Sequence, residues 1–174
     1  HREDGAAVEW GNGTKEWHKD GEWIKTTHSN DGSKFWYQNG QYHREDGPAV
    51  EYADGSKFWY QNGKKHRLDG PAVELANGDK EWHLNGVRHR EDGPAVEWAD
   101  GSKQWYQNGK CHREDGPSGE YTNGAKEWYK NGKWIKAEYY NEEGQLHRED
   151  GPAIEWANGH KSWYQNGNLH REDG

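Results

Sequence analysis

The tetrad His-Arg-Glu-Asp opens the chain at His1 and returns at His43, His89, His112, His147 and His170, with His-Arg-Leu-Asp at His66. A base, a cation and two carboxylates are the raw material of many hydrolytic sites. Repetition argues against that chemistry. Catalysis needs one asymmetric pocket whose groups have environments driven apart, and near-identical copies have near-identical surroundings. We therefore expect no enzyme and no catalytic residue. The same histidines could in principle hold zinc, but successive ones would sit roughly 10 Å apart while ligands lie about 2 Å from their ion. No closed Cys/His motif supports such a site, and no metal or cofactor is expected. The lone cysteine, Cys111, excludes an internal disulfide. It occupies the position of Lys65, Arg88 and Leu169 in sister repeats and reads as an exposed free thiol. The sequon Asn12-Gly13-Thr14 falls in a turn that the repeat already explains.

The elements that would position these residues follow from self-similarity. The unit reads HREDGPAVEWADGSKQWYQNGKC from His89 to Cys111, and complete 23-residue units begin at His1, His43, His66, His89, His112 and His147. A partial unit begins at His170. Two irregular units interrupt the array, one of 19 residues from Ile24 and one of 12 from Ile135, each after a tail GEWIK or GKWIK. Within a regular unit Asp54-Gly55 and Asn62-Gly63 flank SKFWYQ, which predicts two tight type I′ turns and excludes helix. Asp69-Gly70 before Pro71 predicts a bend or bulge into the next strand. The expected fold class is all-β: an elongated, twisted, single-layer antiparallel sheet of tandem β-hairpins, forming one array over 1–174.

Two-residue turns would place Val50 opposite Trp59, Tyr52 opposite Lys57, Trp59 opposite His66 and Phe58 opposite Arg67. One face would then carry a ladder of Val50, Val73 and Val96; of Trp17, Trp36, Trp59, Trp82, Trp105, Trp128 and Trp163; and of His43, His66, His89 and His112. The other face would be a charge ladder of Glu51, Phe58 and Arg67, continued by Glu74, Glu81 and Arg90. Ile24 and Ile135 replace histidine beside Trp17 and Trp128, as a half-buried slot would allow. Equivalent indoles would be too far apart to stack and would clamp valine and histidine between them.

The pattern W-Y-x-N-G-x-x-H-R-x-D-G-P-A, as in Trp59 to Ala72, resembles the MORN-repeat variant family of bacteria, phages and large DNA viruses. It recurs over nearly the whole chain apart from Ile24 to Asn30 and Ile135 to Gly144. The resemblance implies successive hairpins in an elongated antiparallel sheet, with scaffold or interaction roles and no shared enzymatic chemistry. Ala6 for proline and Ser118-Gly119 for Ala-Val depart from the pattern, in the first and sixth units.

Only 29% of the chain is hydrophobic, yet it holds twelve Trp and ten Tyr, so aromatic rings replace an aliphatic core. A formal charge of −8, with cations and anions alternating, makes nucleic acid an improbable partner. No apolar run is long enough to insert in a membrane, and no signal peptide is visible, although the true N-terminus is expected to be missing. An uncovered aromatic face calls for a protein partner or self-association, including a homo-oligomer or fibre. A carbohydrate or cell-wall binding module using Trp and Tyr is the alternative, and an acidic phage or viral decoy the third reading. Unique contacts are expected where the array is irregular, at His28, Asn30, Tyr139, Tyr140, Glu142 and Glu143.

Overall fold

A computed structural model describes residues 8–11, 13–19 and 22–173. The first tetrad, Asn12 of the sequon and the side chain of Trp17 lie outside the described residues. The chain forms two compact units, His1–Val87 and Arg88–Gly174. Among the described residues there is no helix, and hence none long and apolar enough to cross a membrane.

Each unit is an antiparallel sheet in which consecutive strands pair. In the first, Lys15–Lys19, Glu22–His28, Lys34–Gln38, Val50–Glu51, Lys57–Phe58, Val73–Glu74 and Lys80–Glu81 follow one another. In the second, the succession is Val96–Glu97, Lys103–Gln104, Gly119–Glu120, Ala125–Lys130, Lys133–Tyr139, Ile154–Trp156, Lys161–Gln165 and Asn168–Asp173.

The two Gly dipeptides build different turns. Asn62 and Gly63 both have positive φ, 49° and 71°, and join Tyr60 opposite Lys65 in the expected two-residue hairpin. Asp54-Gly55 does not. Tyr52 N–H donates to Ser56 O at 2.9 Å and Gly55 N–H to Tyr52 O at 3.0 Å, so three residues form the loop, with Gly55 at φ 93°. The Asp54 carboxylate accepts the Ser56 N–H at 2.8 Å, a local bond that favours the longer loop. One extra residue shifts the register by one, and a shift of one moves every side chain to the other face. Val50 therefore lies opposite Phe58 rather than Trp59, and Tyr52 opposite Ser56 rather than Lys57.

That shift overturns the Val-Trp-His ladder. Val50, Phe58 and Val73 are cross-strand neighbours and share one face, while Glu51, Lys57 and Glu74 share the other. Trp59 does sit opposite His66, whose N–H donates to Trp59 O at 3.0 Å, but Trp59 N–H then donates to Ala72 O at 2.9 Å. The five residues from Arg67 to Pro71 are thus extruded as a bend. Their arginine folds back across the indole, with its guanidinium carbon 4.1 Å from the Trp59 ring centroid. Arg67 donates to Asp69 at 3.0 Å, to Pro71 O at 3.2 Å and to Glu74 at 3.1 Å. The contact with Glu74 places the indole on the glutamate face, away from Val50 and Val73. Arg67 consequently does not face Phe58, and the expected charge ladder of Glu51, Phe58 and Arg67 is replaced by alternating Glu51, Lys57, Glu74 and Lys80.

The same stack recurs at Arg44 on Trp36, Arg113 on Trp105 and Arg148 on Tyr139, at 4.0 to 4.1 Å. Gly70 favours it, since a Cβ there would lie 3.0 Å from the guanidinium carbon and push the group aside by a few tenths of an ångström. Arg67 bonding in turn holds the Asp69 carboxyl below its ordinary range. The ladder histidines tie the start of each repeat to the turn near its end: Nδ1 of His43, His66, His89 and His112 accepts the backbone N–H of Asn62, Asn85, Asn108 and Asn131 at 3.1 to 3.2 Å.

The irregular units omit the bend after their WIK segments, and the strand runs straight on. Ile24 faces Trp17 at the expected register. Ile135 does not face Trp128, whose partner is Lys136; a bulge between Trp128 and Tyr129 leaves Ile135 unpaired and 40% exposed. This second segment also exchanges the faces. Gly119, Glu127, Ala137 and Glu155 are successive cross-strand neighbours. A valine-position residue and a glutamate of the arginine stack, on opposite faces elsewhere, here share one.

The stack should be measurable as coupling. Arg67→Lys keeps the charge but loses the planar fork, and should cost about 1–3 kcal/mol in urea unfolding. In a double-mutant cycle with Trp59→Leu, the two losses should fall short of additivity by at least about 0.5 kcal/mol. Strict additivity would mean that the ring and the guanidinium do not touch.

Candidate interaction face

The constant residues of the repeat are occupied with one another, so positions that change between repeats are the informative ones. Four of them fall on the valine face: those of Tyr52, Phe58, Tyr60 and Lys65. The Tyr52 position holds Leu75, Trp98 and Tyr121 in later repeats; that of Phe58 holds Glu81, Gln104 and Glu127; that of Tyr60 holds His83, Tyr106 and Tyr129; that of Lys65 holds Arg88 and Cys111. Strand pairing joins them, because Tyr60 lies opposite Lys65 and Tyr106 opposite Cys111.

In the first unit this face is a continuous set of six rings. Tyr37 stacks on Tyr42 at 4.9 Å and Tyr42 lies 5.4 Å from Tyr60. Phe35 connects Tyr42 at 6.3 Å to Tyr52 at 6.0 Å, and Tyr52 meets Phe58 edge-on at 5.6 Å. Such geometries are the favourable ones for aromatic pairs. Beyond the rings the face becomes polar: Lys65 Nζ is 3.9 Å from Glu81, which also holds His83 Nε2 at 2.8 Å. Burial, then the Tyr37 hydroxyl, pushes the Tyr42 phenol up to about 12.

In the second unit the face carries a chain of hydrogen bonds. Tyr106 OH donates to Gln104 Oε1 at 3.0 Å, Gln104 Nε2 donates to Tyr121 OH at 2.7 Å, and Tyr121 OH donates to Glu127 Oε2 at 2.9 Å. Trp98 lies 6.3 Å from Tyr121. The arrangement depends on the departure at Ser118-Gly119. A Cβ at Gly119 would lie 3.1 Å from both Cε2 and the hydroxyl of Tyr121, so the ring occupies the space that valine fills in sister repeats. Ser118 Oγ accepts the Tyr129 N–H at 2.7 Å, anchoring the next strand. Burial and then the Glu127 carboxylate push the Tyr121 phenol up, which keeps it a donor. Burial likewise raises the half-buried Cys111 thiol, with Glu127 adding to the effect, so Cys111 is neither exposed as expected nor an activated nucleophile.

The irregular-unit residues expected to make unique contacts are scattered. His28 Nδ1 is 2.9 Å from Gly13 O, and Asn30 lies in the exposed loop after it. Tyr139 takes a tryptophan's place under Arg148 and is part of the constant stack. Tyr140 donates to Glu138 and carries Lys126 Nζ 4.4 Å from its ring. Glu142 and Glu143 are exposed loop residues. Trp128 lies beneath Lys136 Nζ at 4.2 Å, while Trp82 and Trp163 are half-buried. Among the described residues no three His, Cys, Asp or Glu side chains converge as a metal site would require.

Set beside known proteins, the chain matches no family model and no curated sequence.

Alkaline titration tests the packing of this face. Because the folded-state phenol of Tyr42 is raised from 10.0 to about 12, the stability it confers is complete below pH 10 and is lost as pH rises through 12. Tyr42→Phe should flatten the fall in thermal stability over that window. Gly119→Val, which restores the residue of the sister repeats, should expel the Tyr121 ring and return its late-titrating phenolate absorbance toward the ordinary range. An unchanged titration would contradict the placement of the ring over Gly119.

Proposed function

We propose that this chain is a non-enzymatic binding scaffold, in which the arginine-stack face builds the array and the variable face docks a protein partner. The observation that carries this reading is the division of labour between the faces. Constant Trp, Arg, Asp, Gly and Glu residues spend their donors and rings on each other, as Arg67 does on Trp59, Asp69, Pro71 and Glu74. The varying residues have no such shared geometry, and a tolerance for sequence change on a fixed backbone is what a recognition surface requires. Tyrosine and tryptophan give large contact area at low entropic cost, as in other binding surfaces. Tyr52, 45% exposed at the edge of the six-ring set, is available to a partner. The resemblance to MORN-repeat variants supports the same role.

Carbohydrate binding is the alternative: with the stacked indoles covered by guanidinium groups, the tyrosines and Trp98 of the variable face would be the platforms for a sugar.

A triple variant, Tyr37→Thr, Tyr52→Thr and Tyr60→Thr, should keep the β-sheet circular dichroism while losing the proteins that the bead-bound wild-type chain captures from an extract of its source. Capture unchanged by the triple variant would overturn the reading, and capture of glycans alone on an array would replace it with the carbohydrate one.

A further inference from the structure

The sixth repeat departs from its sisters at Ser118-Gly119, and the Tyr121 ring that takes the space of the missing side chain bonds the Glu127 carboxylate. We propose that Glu127, with Trp98 and Tyr121, forms a recognition site for a cationic side chain, a lysine or arginine tip presented by a partner protein. This inference rests on the docking role assigned to the variable face and specifies its chemistry at one place.

The argument begins with a comparison between two repeats. Glu81 has two nitrogen partners on the same face: the Lys65 ammonium, one repeat earlier, at 3.9 Å and the His83 imidazole at 2.8 Å. Glu127 stands at the equivalent position, but the residue equivalent to Lys65 is Cys111 and the one equivalent to His83 is Tyr129. The ammonium and the imidazole have both been replaced, by a thiol and a phenol. Burial and then Glu127 raise the Tyr129 phenol, so that ring stays neutral as well.

No other cation takes their place. Arg88 lies over the Tyr106 ring at 5.4 Å, and Lys103 and Lys126 are cross-strand neighbours of Glu120 on the opposite face. Lys136 lies over Trp128 and bonds Glu138 at 2.5 Å. Arg148 reaches the same face as Glu127 through the exchange of faces described above, but its fork is committed to Tyr139, Asp150, Pro152 O and Glu155. Among the described residues Glu127 has no ion pair, and Tyr121 occupies only its Oε2. Oε1 is left to accept from a ligand.

The carboxylate accepts from the Tyr121 hydroxyl at 2.9 Å, and the Trp98 ring lies 6.3 Å from that of Tyr121. The ring faces of Trp98 and Tyr121 present negative quadrupoles, and desolvation strengthens that attraction. The carboxylate adds a charge-assisted hydrogen bond. The Val-to-Gly change at residue 119 leaves the space that the Tyr121 ring occupies, and that ring is tied to Glu127. A single carboxylate with phenols and an amide lacks the ligand set for a metal ion. An organic cation needs only one acceptor and aromatic faces.

The full-length chain, labelled with nitrogen-15, should be titrated with N-acetyl-arginine amide and N-acetyl-lysine amide, with N-acetyl-norleucine amide as the uncharged control. The Trp98 indole N–H and the Gln104 side-chain amide should shift saturably with at least one cation, with a Kd on the order of millimolar, and not with the control. Glu127→Gln retains an acceptor for Tyr121 and so keeps the ring in place, but it should weaken binding by at least about tenfold. Trp98→Leu should weaken it severalfold. Equal shifts with norleucine amide, or equal affinity in Glu127→Gln, would overturn the proposal. If Glu127→Gln leaves protein capture intact while the tyrosine triple variant abolishes it, the cation site fails and the docking face stands. If neither variant alters capture, the docking face fails as well.

Discussion

The fold depends on an arginine laid across an indole. Each repeat must send the chain out of the sheet between its histidine and its alanine, and an extruded loop of five residues has no reason to hold a shape by itself. The guanidinium supplies that reason by lying on the ring beneath it and bonding forward to the Asp two residues on, the proline carbonyl and the glutamate of the next strand. Planarity matters because the ring and the donors are engaged at once, one through the face of the group and the others through its edge. The glycine before the proline owes its place to the same contact rather than to backbone conformation. Any larger residue there would crowd the guanidinium.

Because the stack consumes the constant residues, the other face is free to change. A core of alanine and valine, each nearly inaccessible, is thin, and the two layers of rings on either side of it do the work that aliphatic packing does in larger domains. The contacts common to all repeats thereby lie on one face and the diversity on the other. The second irregular segment exchanges these roles within the second unit by a one-residue bulge, so that an arginine stack and a variable surface adjoin. The Gly119 repeat shows what diversity can achieve on such a frame: losing one valine side chain admits a whole phenol, which bonds the Glu127 carboxylate.

Much of this was legible in the residues. Turn dipeptides and period gave the all-β hairpin array, and Asn-Gly behaved as its φ tolerance requires. Opposite pairing of tryptophan and histidine also followed. The register after Asp-Gly did not, because a carboxylate that caps the N–H two residues ahead makes a three-residue loop from a dipeptide that also suits a two-residue one. That single residue carried Val50 and Trp59 to opposite faces. The role of Arg67 was misread for the same cause: counted along a straight strand it faces Phe58, but the Gly-Pro pair after it already signalled that the strand is not straight. At the candidate site, Ser118-Gly119 stood out in the sequence as an irregularity. Its meaning became clear only when Tyr121 was found lying over the missing side chain, a contact that no spacing rule encodes. The irregular units attracted attention as sites, yet Tyr139 proved to be a tryptophan substitute in the stack.

The central claim concerns which neighbour an indole keeps, and nuclear Overhauser contacts of the Trp59 ring measure it directly. The account predicts contacts from that ring to the δ and ε protons of Arg67, with those protons shifted upfield by the ring current. Contacts to the methyl groups of Val50 and Val73, with Arg67 unshifted, would contradict it.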